Sequence, residues 1–259
     1  MGQIPKVTHQ IWFQGWDQLP EKYSKNVESL RILNQNWEHK KWDEQSLRAE
    51  CEKFSPEALA KFDGFPRMMN KIVFGRYVVL HNHGGVSVDC DAECIRPLDK
   101  IPGVNTESLI VTKWAPLSKF ESWLCHRGVC KDEIMFNCAT ILVEPKHPIM
   151  KQFIEFLIEN EYSKTDDMNW DEEIQTGPTI FSWYFNHFLD DIFILDSEIT
   201  EPWGNVTRRT VLNHRYDCSW MDPKVKWIAP YYPFLRSKFI YILLLIQFII
   251  ILVLVKRLY

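Results

Sequence analysis

Gly84-Gly85-Val86-Ser87-Val88-Asp89-Cys90-Asp91 reads as a helix end, a short strand and two carboxylates delivered to one place. Upstream, Met69, Ile72, Val73, Arg76, Tyr77 and Leu80 recur at helical spacing, which predicts a buried helix over 66–83. Gly84 stops it, because glycine accepts the left-handed conformation that a helix C-terminus often needs. Val86 and Val88 alternate with Ser87 and Asp89, the period-two pattern of a strand entering a core. Two apart in an extended chain, Asp89 and Asp91 would face the same way with Cα atoms about 7 Å apart. Such a pair suits one hard cation shared with the phosphates of a ligand, whereas two solvated turn aspartates are the plainer reading of Asp-x-Asp taken alone.

Working outward, apolar periodicity and turn chemistry predict alternating strands and helices. A strand is expected over 6–13, a helix over 21–33, a strand over 37–42, and helices opened by Asp43 and by Ser55-Pro56. Strands follow over 108–112, 139–143 and 192–195, with helices from His147-Pro148 through Leu157 and over 179–188. Residues 162–171 read as a polar surface loop and 211–220 as irregular. Strand–helix alternation argues for an α/β sheet, in which ligands bind at the carboxyl ends of strands, where Asp89 and Asp91 fall.

The formal charge of −4 and the absence of a long basic run exclude a nucleic-acid partner. Seven cysteines follow no small-domain framework, and neither Cys90/Cys94 nor Cys125-His126/Cys130 fits a common zinc ligand set, so reduced, mostly buried thiols are expected. The C-terminus differs from the rest. Residues 239–255 carry no charge, and Lys238 and Lys256 flank them. As a helix they would cover about 25 Å, which predicts a single-pass membrane anchor within 236–259 behind a globular domain of residues 1–235. With no apolar run behind Met1, no signal peptide is expected, which places the globular domain in the cytoplasm and leaves the sequon at Asn205 unused.

Ile4-Pro5-Lys6-Val7-x-His9-Gln10-Ile11-Trp12, then Arg76-Tyr77-x-x-Leu80, then Gly84-Gly85-Val86-x-x-Asp89-x-Asp91 resembles the Asp-x-Asp glycosyltransferases of family 32. The resemblance is densest over residues 4–100. It implies a GT-A fold, a Rossmann-like nucleotide-diphospho-sugar transferase domain. It also implies transfer of a sugar from a UDP- or GDP-linked donor with retained anomeric configuration, assisted by Mn²⁺ or Mg²⁺. The acceptor would be a glycan, a glycolipid or a membrane protein. Trp12 matches the aromatic residue that stacks on the nucleobase, and Arg76 the arginine that reaches the donor sugar. Asp91 matches the direct metal ligand, and Asp89 the residue bridging metal and donor. His214, with Ser219-Trp220, resembles a C-terminal loop that closes on metal and pyrophosphate. One position departs from the family: Val73 stands where an aspartate usually helps to bind the donor sugar, and a branched hydrocarbon accepts no hydrogen bonds. Two other classes stay open, a weakly active glycosyltransferase-like scaffold and a metal-dependent phosphohydrolase built on the aspartate pair.

Overall fold

The computed structural model describes residues 3–114, 134–160, 176–202, 205–217 and 247–248. The chain divides into two compact units, Met1–Arg215 and Tyr216–Tyr259. In the first, a six-stranded mixed sheet runs in the order β2-β1-β3-β6-β5-β7. Its strands are β1 (Val7–Ile11), β2 (Glu38–Trp42), β3 (Gly85–Ser87), β5 (Leu109–Lys113), β6 (Phe136–Val143) and β7 (Phe193–Leu195). Around β1 the pairing is parallel to β2 and β3; β3 and β5 then flank β6 antiparallel, and β7 joins β5 parallel. A second, two-stranded sheet pairs β4 (Ala92–Cys94) antiparallel with β8 (Leu212–His214). The α/β expectation therefore holds.

Helices form where local chemistry starts and stops them. Helix α1 is Glu21–Leu33. Helix α2 (Glu44–Phe54) begins with Asp43 accepting from the Ser46 amide while the Ser46 hydroxyl accepts from the Asp43 amide, a reciprocal cap. Helix α3 (Pro56–Gly64) has Ser55 as its cap and Pro at its first position. Helix α4 (Met68–His83) is buried on nearly every face from Val73 to His81. Helices α5 (Pro148–Glu159), α6 (Pro178–Phe185) and the short α7 (Ser197–Thr200) complete the set.

Two cores sandwich the sheet. Leu109 and Val111 of β5 face one core while Ile110 faces the other, as strand periodicity requires. The larger core gathers Leu47, Phe62, Tyr77, Phe153 and Phe181 from α2 to α6. The smaller gathers Leu30 of α1, Val86, Cys94 and Leu212.

Helix α4 is tied to the sheet by one tight junction. Gly84 ends the helix at φ 64° and its amide donates to the Leu80 carbonyl. Gly85 follows at φ 103°, and a Cβ there would run into the Val7 carbonyl oxygen. Both positions exclude a side chain: at Gly84 a Cβ would meet Pro145 and Pro5, and at Gly85 the backbone of β1. His9 clamps the junction from β1. Its Nδ1 accepts from the Trp42 indole at 3.0 Å, leaving Nε2–H to donate to the Gly84 carbonyl at 2.7 Å. The His9 carbonyl also accepts from the Val88 amide at 3.0 Å. Burial holds the His9 pKa down to about 4, so the ring stays neutral.

Several expectations need correction. Asp89 and Asp91 do not lie on an extended strand: β3 stops at Ser87, and a turn closed by the Ala92 amide on the Asp89 carbonyl at 3.0 Å carries both. The stretch expected to be irregular contains β8, and β4 was not foreseen; three-residue strands are too short to show a period. Among the described residues no helix is long and apolar enough to cross a membrane. This corrects the expectation of a C-terminal transmembrane helix over 239–255: no described helix is one, and the single-pass anchor is left unsupported. Of that range only Gln247 and Phe248 are among the described residues. The polar stretch 162–171, Ser219-Trp220 and Cys125-His126/Cys130 lie outside the described residues.

Because Gly85 combines positive φ with backbone contact, Gly85→Ala is expected to lower unfolding stability by about 2 kcal/mol or more in chemical denaturation. An unchanged midpoint would contradict this account of the junction. The neutral His9 adds a pH dependence. Its folded pKa lies below the unfolded value near 6.5, so the unfolded state binds more protons between pH 6.5 and 4, and stability falls as pH drops through that window. Thermal melts should show a smaller loss between pH 7 and 4.5 in His9→Gln than in the unaltered chain.

Candidate metal and donor site

Three elements deliver four charged groups to one point. Asp89 and Asp91 come from the turn after β3, Arg76 from the buried face of α4, and His214 from the end of β8. The register of the small sheet explains the last of these, since Ala92 pairs with His214 and so sets the ring beside Asp91. One ligand atom each from Asp89, Asp91 and His214 lies within 4.8 Å of the others. The His214 Nε2 is 3.1 Å from Asp91 Oδ1 and 3.8 Å from Asp89 Oδ2.

Two groups hold these ligands in place. The Arg76 guanidinium, itself buried, donates through Nη2 to Asp89 and through Nη1 to the Cys138 carbonyl at 2.7 Å. It thus ties the aspartate turn to β6. Behind the histidine stands Glu201, fully buried, whose Oε2 accepts from His214 Nδ1 at 2.7 Å. A carboxylate behind the imidazole fixes the ring so that Nε2 points at the two aspartates. Ser87 secures the turn's other flank: its hydroxyl donates to the Ala139 carbonyl at 2.9 Å and accepts from the Ile141 amide at 3.1 Å, bridging β3 and β6.

The electrostatics follow from this crowding. Burial pushes the Asp89 carboxyl pKa up, against the pull of Arg76. Burial alone would lower the His214 pKa, but Glu201 and Asp91 outweigh it and raise the group well above its ordinary value. Without a cation, an imidazolium therefore bridges the two aspartates. The donor set of two carboxylate oxygens and one imidazole nitrogen, with Glu201 behind the imidazole, fits a divalent cation of the Mn²⁺ kind.

The remaining sequence-predicted residues are placed differently. Trp12 lies just past β1, half-buried, with its ring 5.4 Å from that of Tyr23 at 51°. Its indole N–H is buried with no partner among the described residues. The turn lies close by, because the Ile11 carbonyl accepts from Cys90 Sγ at 3.4 Å. Val73 is buried in the larger core and is not among the groups that meet at the aspartates. Cys51, Cys90, Cys94 and Cys138 are buried, and burial pushes the Cys51 thiol up to about 12. Sequence reasoning missed Glu201. It stands alone before Pro202 with no motif around it, and only the fold reveals that it backs His214.

Residues 20–107 match the family described as the glycosyltransferase sugar-binding region containing a DXD motif. An uncharacterized glycosyltransferase of Acanthamoeba polyphaga mimivirus is 26% identical over 205 residues, covering 77% of this chain and 73% of that protein. Inositol phosphoceramide mannosyltransferase 1 of Schizosaccharomyces pombe is 25% identical over 196 residues, covering 73% of this chain and 53% of that protein. The chain thus spans about half the length of the yeast relative. Among solved structures, the PaToxG glycosyltransferase aligns with a TM-score of 0.45 at 15% identity, covering 73% of this chain and 71% of that one. The galactosyltransferase LgtC in complex with donor and acceptor sugar analogs aligns at 0.41 and 12%, covering 86% and 92%. The Asp89-Cys90-Asp91 motif lies inside the matched region, and the DXD match and the relatives named as glycosyltransferases together support this chain as a glycosyltransferase similar to those enzymes.

Proposed function

We propose that this chain is a metal-dependent, retaining glycosyltransferase of the GT-A kind. It takes a sugar from a UDP- or GDP-linked donor and passes it to a glycan or glycolipid acceptor. The observation that carries the reading is the convergence of Asp89, Asp91 and His214, with Glu201 fixing the histidine. Similarity to the DXD glycosyltransferases supports the reaction class, and this geometry supplies a reason for a cation.

In this reading Asp89, Asp91 and His214 hold a divalent cation, Mn²⁺ or Mg²⁺. When bound, that cation neutralises the charge that develops on the departing nucleoside diphosphate. Arg76 keeps Asp89 aimed at the cation and adds fixed positive charge beside the diphosphate, where preorganised charge is most effective. Trp12 offers an aromatic face and an unspent N–H at the carboxyl end of β1, which suits a nucleobase. Because Val73 supplies no acceptor, the donor sugar would draw its hydrogen bonds from other groups.

Incubation of the full chain with Mn²⁺ and a panel of UDP- and GDP-sugars should release nucleoside diphosphate from one donor. Asp91→Asn should reduce that release at least a hundredfold. Silence across the panel by a folded chain that binds Mn²⁺ and nucleotide would instead favour the weakly active scaffold, the reading that Val73 supports. Two further outcomes concern the cation. Glu201→Gln should weaken Mn²⁺ binding about 10- to 100-fold in a calorimetric titration, as losing the carboxylate behind a histidine ligand does elsewhere. Mn²⁺ and a proton compete for His214 Nε2, so affinity should rise with pH from 6 to 8, by up to about tenfold per unit. A flat profile would remove His214 from the ligand set.

A further inference from the structure

A cavity of about 380 Å³ is rimmed by Arg96, Lys100, Arg208 and Arg209. Its remaining lining is apolar, from Pro97, Pro102 and Ile199. The small sheet separates it from the metal site. Ala92 and His214 pair at one end of β4 and β8, while Cys94 and Leu212 pair at the other. Arg96 lies just beyond that second end, where the Val211 carbonyl accepts the Ile95 and Arg96 amides at 2.9 and 3.3 Å. None of Asp89, Asp91, His214 and Glu201 lines the cavity.

Charge balance distinguishes this place from an ordinary solvated face. Arg209 is neutralised by Glu198, and Asp196 lies 3.9 Å away. Among the described residues, Arg96, Lys100 and Arg208 form no ion pair, although salt bridges are plentiful elsewhere on the surface. Three unpaired cations around one concavity form a positive focus, because low-dielectric walls concentrate the field of the charges that line a cleft. Guanidinium groups match phosphate oxygens in geometry as well as charge. The volume exceeds what one inorganic anion fills and falls in the range of small-molecule sites. The apolar floor gives the carbon part of a ligand something to contact.

We propose that this cavity is a second binding site, distinct from the donor site, for an organic phosphate monoester. The phosphate engages Arg96, Arg208 and Lys100, and the carbon skeleton rests on Pro97, Pro102 and Ile199. Either a soluble phosphorylated metabolite or a lipid headgroup presents this chemistry. The site is independent of the metal-site reading, since it shares no residue with it. Occupancy does have a route to that site. Ile199 sits on α7, and Glu201, which backs His214, follows that helix directly.

The full chain should be titrated with glycerol 3-phosphate by calorimetry, and mixed with phosphatidylcholine vesicles made with and without phosphatidic acid. Saturable glycerol 3-phosphate binding that weakens at least tenfold in the Arg96→Gln, Arg208→Gln double variant supports the site and assigns it a soluble ligand. Vesicle binding that needs phosphatidic acid and is lost in the same variant supports it and assigns a lipid headgroup. No saturable binding of either probe, or binding undiminished in the variant, overturns it. Arg208 is exposed, so Arg208→Gln alone gives the same readout if the double variant melts early. Mn²⁺ affinity should be equal in variant and unaltered chain, which separates failure here from failure of the metal site.

Discussion

Charge enclosed beside a carboxylate turn is the constraint on which the rest of this structure depends. Asp89, Asp91 and Glu201 bring three formal negative charges into a small volume, and Arg76 and a protonated His214 bring two positive ones. One negative charge is left over, in surroundings where uncompensated charge is costly. A divalent cation that takes the place of the His214 Nε2 proton brings the cluster to neutrality. Folding therefore yields a site one proton-for-metal exchange away from balance. Arg76 and Glu201 are the fixed members of the exchange and His214 is the movable one.

That cluster can exist only because the chain makes an abrupt change of direction beside it. Helix α4 is buried nearly all round and so cannot shift to accommodate a loop. Gly84 and Gly85 allow β3 to start within a residue of the helix end, at a distance from Val7 that excludes a side chain. His9 holds both ends of the entering strand, through its ring at Gly84 and its carbonyl at Val88. The aspartates are thus placed by backbone geometry fixed on both sides, with Arg76 on the same helix closing the loop to Asp89. A site built on rigid elements in this way keeps its ligands aimed before any ligand arrives.

Much of this was legible in the residues. Helix α1 begins and ends where apolar spacing puts it, and Asp43, Ser55-Pro56 and Gly84 mark helix ends by the chemistry that makes them. Arg76, Asp89 and Asp91 were visible as a motif, and the fold brings them together with His214. Less visible were features set by tertiary contact. The turn at Asp89–Asp91 imitates an extended stretch, because two residues of alternation cannot distinguish a strand end from a turn. Strands β4 and β8 find each other across more than a hundred residues, and neither has a pattern of its own. Glu201 carries no local signal at all; its role exists only because β8 sets His214 in front of it. For the uncharged run over 239–255 composition spoke for a spanning helix, and among the described residues no helix is long and apolar enough to be one.

The most direct test of the central claim is pulsed electron paramagnetic resonance on Mn²⁺ bound to the full chain. Coupling to a single imidazole nitrogen, abolished by His214→Asn while the chain stays folded, is the result this account requires. Mn²⁺ held by oxygen ligands alone, or a nitrogen coupling that survives the loss of His214, would contradict it.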